Sequence, residues 1–283
     1  MPITIADFDY IRKLVYDRTG VFLSSEKMYL VESRLGIVAK EAGTNSVSGL
    51  VAELKQIKQQ RFNPLYESTV EAMMTNETFF FRDVNPFEML KISVVPELLK
   101  QRQGDSLRDG YAAPTLNIWC AACSSGQEPY SIAILLREYF PQLTTNQVQI
   151  IGSDISTAML KRANSGCYAQ HEVVRGLPPA LLQKYFHHCG KEWQIKEELR
   201  KAIDFRQINL TEPFPSMPKM DIIFLRNVLI YFDLQTKKSI LARVRQVLRP
   251  DGYLFLGGGE TTVNLDSAFE PIQFEKGICY RLK

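Results

Sequence analysis

The sequence predicts an α/β fold, with a mostly parallel sheet and helices on both faces, preceded by a small all-helical domain. From about residue 115, short apolar runs alternate with amphipathic helical segments, which is the pattern of parallel strands joined by helices. Residues 1–75 instead carry apolar residues at helical spacing and show no strand-like alternation. We therefore predict a helical N-terminal domain over 1–75, a linking segment over 76–114 and the α/β domain over 115–283.

The composition fits a globular protein. Of 283 residues, 45% are hydrophobic and 23% are charged, and the net charge is +3 with a pI of about 8.5. This weak positive balance argues against nucleic-acid binding, for which a domain pI above roughly 9 is usual. No apolar run approaches the roughly 18 residues that cross a bilayer, and the N-terminus lacks a secretory pattern. We expect a cytoplasmic protein that does not insert into membranes.

The cysteines are scattered along the chain and predict no disulfide framework. Cys120 and Cys123 form a C-x-x-C pair, but no second pair or histidine cluster lies at metal-ligand spacing. We expect no metal site, and we interpret the two cysteines as small residues that line a turn rather than as a redox pair.

Local patterns place the individual elements. Helices are expected after Asp7, from about Ser24, near 46–60 and from Pro64 to about Met74. Strands of the main sheet are expected at Leu116–Cys120, Val148–Gly152, Phe205–Ile208, Asp221–Leu225, Tyr253–Leu256 and twice within 268–282. Alternation over 193–205 predicts an antiparallel hairpin with its tip at Glu197 and Glu198. Residues 100–114 are expected to form a polar surface loop.

Residues 117–131 are the most informative stretch of the chain. An apolar run ends in a turn of small residues, and a helix then opens with Glu128 and Pro129 in its first turn. A nucleotide-like cofactor is received in this way at the carboxyl end of the first strand of an α/β sheet. A carboxylate at the helix start, where a phosphate would otherwise sit, suits a ligand whose nearby end is cationic. S-adenosylmethionine fits because it carries an ammonium and a sulfonium, whereas a pyrophosphate cofactor fits poorly.

Polar residues also stand at the ends of later predicted strands. Asp154, Asn209 and Asn227 follow three of them, as Glu128 follows the first. In open α/β sheets the ligand lies beyond these ends, and an acidic residue like Asp154 commonly accepts the ribose hydroxyls of an adenosine. Taken alone, Asp154 could equally be a helix N-cap. The recurrence of polar residues at four strand ends favours a ligand site.

The three consecutive phenylalanines Phe79–Phe81 stand in a polar frame that includes Arg82. One interpretation is a linker packed on the core between domains. The other, which we favour, is a cofactor lid within 76–114, in which the rings exclude water and Arg82 supplies a fixed cation.

Four motifs together resemble those of the CheR family of chemotaxis receptor methyltransferases. They are Asn76–Arg82, Cys123–Ser131, Gly152–Ser156 and Arg226–Phe232. The resemblance covers essentially the whole chain, with the motifs in the same order. It implies a class I methyltransferase-like (Rossmann-like) fold with a small helical N-terminal domain and an inserted antiparallel β-subdomain, which we place at about 190–208.

The resemblance implies an S-adenosylmethionine-dependent enzyme that methylates glutamate side chains on the cytoplasmic helices of chemoreceptors and leaves S-adenosylhomocysteine. It implies that Arg82 and Tyr231 lie closest to the transferred methyl. It also implies a set of residues around the cofactor, namely Asn76, Thr78, Arg82, Glu128, Asp154, Asn209, Leu210, Asn227 and Val228.

Two surfaces for the receptor follow from the same resemblance. The inserted hairpin is similar to the subdomain that docks a receptor's C-terminal peptide in some family members. The second helix is similar to the family's basic receptor-facing helix: Lys27, Arg34 and Lys40 are basic, but Ile37 and Val38 occupy positions that are often basic. We expect a monomer.

Three alternatives compete with this interpretation. A methyltransferase acting on amino groups of nucleic-acid bases would carry Asn/Asp-Pro-Pro-Tyr where this chain has Arg226–Tyr231. A nicotinamide dehydrogenase would carry G-x-G-x-x-G after the first strand, which this chain lacks. A non-catalytic sensor or scaffold that binds S-adenosylmethionine or S-adenosylhomocysteine stays open, although it would have less reason to keep Arg82 together with Tyr231.

Overall fold

The computed structural model of the protein describes residues 3–57, 63–109 and 115–283. The chain divides into two compact units. The helical unit comprises the described residues up to Thr75 together with Tyr231–Thr236, and the α/β unit comprises Asn76–Ile230 and Lys237–Lys283. None of the helices within the described ranges is long and apolar enough to cross a membrane.

The helical unit packs four helices around one apolar core. They are α1 (Ile5–Thr19), α2 (Met28–Glu41, preceded by a 3-10 turn at Ser25–Lys27), α3 (Val47–Gln56) and α4 (Pro64–Met73). Side chains of Thr4, Ser46 and Asn63 accept backbone N–H bonds at three of the N-termini, as N-caps do. The third helix was predicted to run to residue 60 but ends at Gln56, and residues 58–62 lie outside the described ranges.

The α/β unit is built on a seven-stranded sheet. A second, three-stranded sheet is inserted in it and consists of β3 (Cys167–Ala169), β4 (Phe186–Cys189) and β5 (Glu192–Ile195). The seven strands of the main sheet are β1 (Leu116–Ala121), β2 (Val148–Asp154), β6 (Ile203–Gln207), β7 (Met220–Leu225), β8 (Leu248–Leu256), β9 (Phe269–Phe274) and β10 (Gly277–Leu282). The helices are α5 (Asn85–Met89), a π-helical turn (Leu90–Val94), α6 (Val95–Asp109), α7 (Gln127–Tyr139), α8 (Thr157–Ser165), α9 (Gln170–Val173), α10 (Pro179–Tyr185), α11 (Glu197–Arg200) and α12 (Leu234–Val247), whose first residues belong to the helical unit.

The main sheet has the order β6-β2-β1-β7-β8-β10-β9. The pairs from β6 to β8 are parallel, and the last two strands are antiparallel. The order reverses direction between β1 and β7, so the carboxyl ends of these strands open a crevice of the kind that receives ligands in such sheets. The predicted mostly parallel α/β sheet, the helical N-terminal domain and a separate antiparallel sheet are confirmed.

The inserted sheet differs from the predicted hairpin. It has the order β3-β5-β4, and its hairpin joins β4 to β5 through a turn in which Gly190 has a φ of 63°. The predicted tip at Glu197 lies in the short helix α11, and β6 pairs in parallel with β2 at the edge of the main sheet. The placement of the inserted subdomain at about 190–208 is therefore right for β5 but wrong beyond it, because an edge strand and a hairpin arm share the same two-residue alternation. The main-sheet strand predicted at Phe205–Ile208 is found as β6.

The expected loop over 100–114 is wrong for its first part. Helix α6 continues to Asp109, and residues 110–114 lie outside the described ranges. Apolar residues at the start of this helix, among them Val95 and Leu98, are fully buried and fix it to the sheet, whereas its second half is polar. Packing of one end thus maintains a helix whose other end has the composition of a loop.

A buried ion pair holds the amino end of β7. The Asp221 side chain is 1% exposed, accepts the Asn117 N–H at 2.8 Å and pairs with Arg102 at 2.7 Å. Loss of one partner of a buried pair costs about 3–5 kcal/mol, and we expect Asp221→Ala to lower the free energy of unfolding by the smaller end of this range. The smaller value applies because Arg102 keeps Asp251 at 2.8 Å.

Urea denaturation followed by far-ultraviolet circular dichroism measures this loss. Asp204→Asn on the neighbouring strand β6 is the matched control, since Asp204 is exposed where it pairs with Arg206. Exposed pairs contribute little, so this control should unfold like the wild type. Equal stabilities of the two variants would show that the Asp221 pair does not hold the sheet.

Candidate active site

The loop that follows β1 is wound tightly at the carboxyl edge of the sheet. Ala122, Ser124 and Gly126 have φ values of 57°, 50° and 93°, in the left-handed region that larger side chains avoid. A Cβ on Gly126 would lie 2.9 Å from the Cβ of Ala163. The small residues that marked this turn in the sequence are therefore required by its backbone conformation and by its neighbours.

Asp154 ends β2 beside this loop. The residue is 6% exposed. Its carboxylate accepts the N–H of Ser124 at 2.8 Å and the N–H of Ser156 at 2.9 Å. The N-cap of α8 is Ser156, whose own side chain accepts the Met159 N–H. Asp154 is thus not that helix's N-cap but an acceptor that ties the two loops together.

Glu128 stands in the first turn of α7 and is paired with Arg226. Its carboxylate lies 2.8 Å from an Arg226 nitrogen, and the two side chains are 13% and 2% exposed. Burial raises the pKa of Glu128 above its ordinary value, and the positive charges of Arg226 and then Arg82 oppose that rise. The site therefore holds a desolvated acid whose charge depends on neighbouring cations.

Arg226 also connects this acid to the segment before α5. Its guanidinium donates to the carbonyl of Arg82 at 2.8 Å and to the carboxylate of Asp83 at 2.9 Å. Arg226 lies in one of the four motifs, but the sequence alone indicates no role for it. A signal was present, because a charged residue directly after the wholly buried strand β7 needs a buried partner.

The three phenylalanines divide between the core and the surface of the site. Phe80 is completely buried, with its ring centroid 5.1 Å from that of Tyr168. Phe81 packs edge-on against Phe87 at 5.2 Å. Only Phe79 lies beside cations, with Arg82 at 5.6 Å and Arg175 at 4.2 Å from its ring centroid. The lid hypothesis is therefore wrong for Phe80, which belongs to the core. Phe81 packs against that core, so Phe79 is the ring that is left to exclude water as the hypothesis requires.

Segment 76–82 is nevertheless anchored to the loop that follows β1. The carbonyl of Asn76 accepts the Ser124 hydroxyl at 2.9 Å. The Arg82 guanidinium donates to the Glu77 carbonyl at 2.7 Å. Thr78, which lies between these two residues in the sequence, is half-buried. Arg82 is near enough to Glu128 for its charge to lower the pKa of that acid.

The residues after β6 are held by local bonds. Asn209 accepts the N–H and hydroxyl of Thr211 on its side-chain oxygen, at 3.0 Å and 2.8 Å. Leu210 is buried, and its carbonyl accepts a bond from Arg243 at 2.7 Å. Both residues follow the carboxyl end of β6, on the same sheet edge as Asp154.

The turn after β7 is held by a residue that sequence reasoning missed. Asn227, with a φ of 58°, donates its N–H to Glu260 at 2.7 Å, and Val228 donates to the same carboxylate at 2.9 Å. Glu260 follows Gly257–Gly259 just beyond the buried strand β8. That glycine run at a strand end was an available signal of a second close-approach loop.

The chain is similar to known proteins over nearly its whole length. The family model described as "CheR methyltransferase, SAM binding domain" matches residues 76–278, and "CheR methyltransferase, all-alpha domain" matches residues 6–66. This chain belongs to the CheR methyltransferase family. Chemotaxis protein methyltransferase 1 of Pseudomonas aeruginosa is 42% identical over 98% of both chains, and chemotaxis protein methyltransferase Cher2 of Pseudomonas putida is 40% identical over 98% of both. A chemotaxis protein methyltransferase of Vibrio parahaemolyticus is 36% identical over 99% of both.

The CheR-type cofactor fits the groups at this sheet edge. Glu128 and Asp154 are carboxylates of the kind that a ligand with an ammonium and ribose hydroxyls requires, and the loop after β1 has little room for side chains. The chemistry of this donor set agrees with the S-adenosylmethionine-binding domain that the family model describes.

The second residue that the CheR resemblance placed next to the methyl, Tyr231, belongs to the helical unit. It ends the 3-10 turn Leu229–Tyr231, is half-buried, and its carbonyl accepts the Phe22 N–H at 2.8 Å. Arg82 belongs to the α/β unit.

The C-x-x-C pair is buried in the core. Burial raises the pKa of Cys120 and Cys123 well above that of a free thiol, so both stay protonated and poorly nucleophilic. Both are free thiols. Within the ranges that the structure describes, no three His, Cys, Asp or Glu side chains are grouped as metal ligands.

Proposed function

We propose that this protein transfers the methyl group of S-adenosylmethionine to glutamate side-chain carboxylates of chemoreceptors, forming methyl esters and leaving S-adenosylhomocysteine. The observation that carries the proposal is the arrangement of Glu128, Asp154 and Asn227 at one edge of the sheet, in a chain of the CheR family. The nearly full-length similarity to chemotaxis protein methyltransferases supports the chemoreceptor as substrate.

We further propose which residues hold the cofactor. Glu128 would receive the ammonium and Asp154 the ribose hydroxyls, because Glu128 is a desolvated acid in the first turn of α7 and Asp154 is a buried carboxylate at the carboxyl end of β2. The remaining members of the proposed cofactor set are Asn76, Thr78, Arg82, Asn209, Leu210, Asn227 and Val228.

S-adenosylmethionine supplies a methyl group already activated on a sulfonium. The accepting carboxylate has a pKa of about 4.3 and is ionised at neutral pH, so the protein needs no general base. Charge diminishes as an anion and a cation become an ester and a thioether, so a site that excludes water favours transfer. We propose that Phe79 excludes water and that Arg82 orients the acceptor without binding it so strongly that the ground state is stabilised.

Tyr231→Phe is expected to lower kcat while leaving the affinity for S-adenosylhomocysteine nearly unchanged. The phenol would align the acceptor, and loss of one alignment contact costs about tenfold or more in rate. Steady-state kinetics and calorimetric titration measure the two quantities separately. Tyr66→Phe, elsewhere in the helical unit, is the matched control. A large loss of affinity in Tyr231→Phe would contradict the assignment.

The receptor would meet two surfaces. Arg34 on α2 donates to the carbonyls of Met73 and Met74. The exposed residues of α2 are Tyr29, Glu32, Ser33, Gly36, Ile37, Lys40 and Glu41. We therefore propose that receptor helices dock on a face of mixed polarity rather than on a basic one. A receptor C-terminal peptide would add as a strand to an edge of the β3-β5-β4 sheet. We propose a cytoplasmic monomer.

Two measurements on the wild type separate an enzyme from a sensor. Calorimetric titration with S-adenosylhomocysteine reports cofactor binding, and mass spectrometry of chemoreceptor peptides after incubation with S-adenosylmethionine reports methylation. The proposal requires both binding and a methyl group on glutamate. Binding without methylation of any receptor would favour the non-catalytic sensor, and methylation of another residue type would overturn the assigned acceptor.

A further inference from the structure

One carboxylate at the edge of the main sheet holds two loops by their backbones. Glu260 accepts the N–H groups of Asn227 at 2.7 Å, Val228 at 2.9 Å, Ile230 at 3.3 Å and Gly257 at 2.7 Å. The first three belong to the turn after β7, and the last begins the loop after β8. A half-buried side chain thus fixes four backbone groups through charge-assisted bonds.

The surrounding backbone is adapted to this carboxylate. A Cβ on Gly257 would lie 2.7 Å from both the Asn227 side-chain nitrogen and a Glu260 oxygen, and 2.8 Å from the Asn227 backbone nitrogen, so the close approach of the two loops requires glycine here. Asn227 adopts a φ of 58°, a conformation that asparagine tolerates better than most residues do. The arrangement therefore requires a glycine, a left-handed residue and an acceptor with two oxygens in one place.

We infer that Glu260 is a positioning residue for methyl transfer. It would hold Asn227 and Val228 in the geometry that binds the cofactor. Through its bond to the Ile230 N–H, it would also fix the backbone that immediately precedes Tyr231. The inference rests on the proposed function, since it gives Glu260 a role in that same site. It adds a residue that belongs to none of the four motifs behind the resemblance.

A charge effect accompanies the mechanical one. The Glu260 carboxylate is near enough to Glu128 that its negative charge raises the pKa of that acid. Removing the Glu260 charge should therefore shift the loss of cofactor binding to lower pH. A residue that served only to hold the loops would not move this midpoint.

Glu260→Gln tests the inference. The glutamine amide keeps the shape of the glutamate side chain, but its NH2 group replaces one oxygen that accepts backbone N–H groups. Two donors would then face each other, so the turn after β7 must rearrange. We expect the dissociation constant of S-adenosylhomocysteine to rise about tenfold or more, the effect of losing a hydrogen bond to a charged group, with kcat also reduced. Glu260→Asp keeps the charge and should fall between this variant and the wild type. Glu275→Gln, in the exposed turn between β9 and β10, is the matched control.

The outcomes separate the inference from the proposed function. A wild type that binds S-adenosylhomocysteine and methylates receptors, with Glu260→Gln equal to it in affinity, kcat and pH midpoint, would overturn the inference alone. A wild type that does neither would overturn both. Should Glu260→Gln fail to fold, Glu260→Asp decides, since wild-type affinity and kcat in that variant would also overturn the inference.

Discussion

Arg226→Met should lower the free energy of unfolding by about 3–5 kcal/mol, the usual cost of leaving a buried charge without its partner. The arginine is 2% exposed and binds Glu128, Asp83 and the Arg82 carbonyl. Methionine fills much of the same volume but leaves Glu128 desolvated and unpaired. The destabilisation should therefore come from charge rather than from a cavity.

The loss should also depend on pH in a defined direction. A glutamate whose pKa is raised in the folded state binds its proton more tightly there than in the unfolded chain. Its ionisation therefore lowers the free energy of unfolding as the pH rises through the folded-state pKa. Without Arg226 the pKa of Glu128 should rise further. The stability deficit of Arg226→Met should thus be larger at about pH 8 than at about pH 5, where protonation relieves the unpaired charge.

Urea denaturation at both pH values measures this deficit. Arg245→Met is the matched control, because Arg245 is exposed and lies 3.5 Å from Asp266. It should unfold like the wild type at either pH. A deficit in Arg226→Met that matches this control, or that grows toward acid, would contradict the role given to the Glu128–Arg226 pair.

Glu128→Gln is expected to weaken S-adenosylhomocysteine binding by about one to two orders of magnitude. The proposed bond between this carboxylate and the ligand ammonium is charge-assisted, and such bonds contribute about 1.5–3 kcal/mol. Because the pKa of Glu128 is raised, wild-type affinity should also fall as the medium is acidified, at a higher pH than an ordinary glutamate with a pKa of about 4.3 would give.

Calorimetric titration across a pH series tests both parts. The Glu128→Gln variant should be weak at every pH and should lack the acid-side decline, because it has no carboxylate to protonate. Glu138→Gln, on the same helix but bonded to Lys184 and Tyr185, is the control and should bind like the wild type. Wild-type affinity in Glu128→Gln would remove this residue from the cofactor site.

The positions of the predicted strand-end residues could be anticipated from sequence because of the geometry of parallel sheets. Carboxyl ends of neighbouring parallel strands meet at one edge, so Glu128, Asp154 and Asn227 had to approach once their strands were identified. The small-residue loop after β1 was equally visible, since left-handed backbone conformations restrict which residues can stand there.

What the sequence could not reveal was pairing across long separations. Arg226 and Glu128 are 98 residues apart, and Glu260 is 33 residues from Asn227, so no local pattern links them. The predicted second arm of the hairpin failed for the same reason, since the alternation at Ile203 and Phe205 suits the edge strand β6 as well as a hairpin arm. Phe80 became a core residue because the inserted sheet supplies Tyr168 and Phe186 as neighbours.

The chemical bond formed on the receptor tests most directly whether the protein esterifies glutamate side chains. Chemoreceptor-containing membranes would be incubated with this protein and S-adenosylmethionine labelled in the methyl group, then washed and treated with mild alkali. Carboxyl methyl esters hydrolyse under these conditions, so the account predicts that the label leaves the receptor as volatile methanol. Label that stays on the receptor through alkali would place the methyl on nitrogen or another stable acceptor and would contradict glutamate esterification.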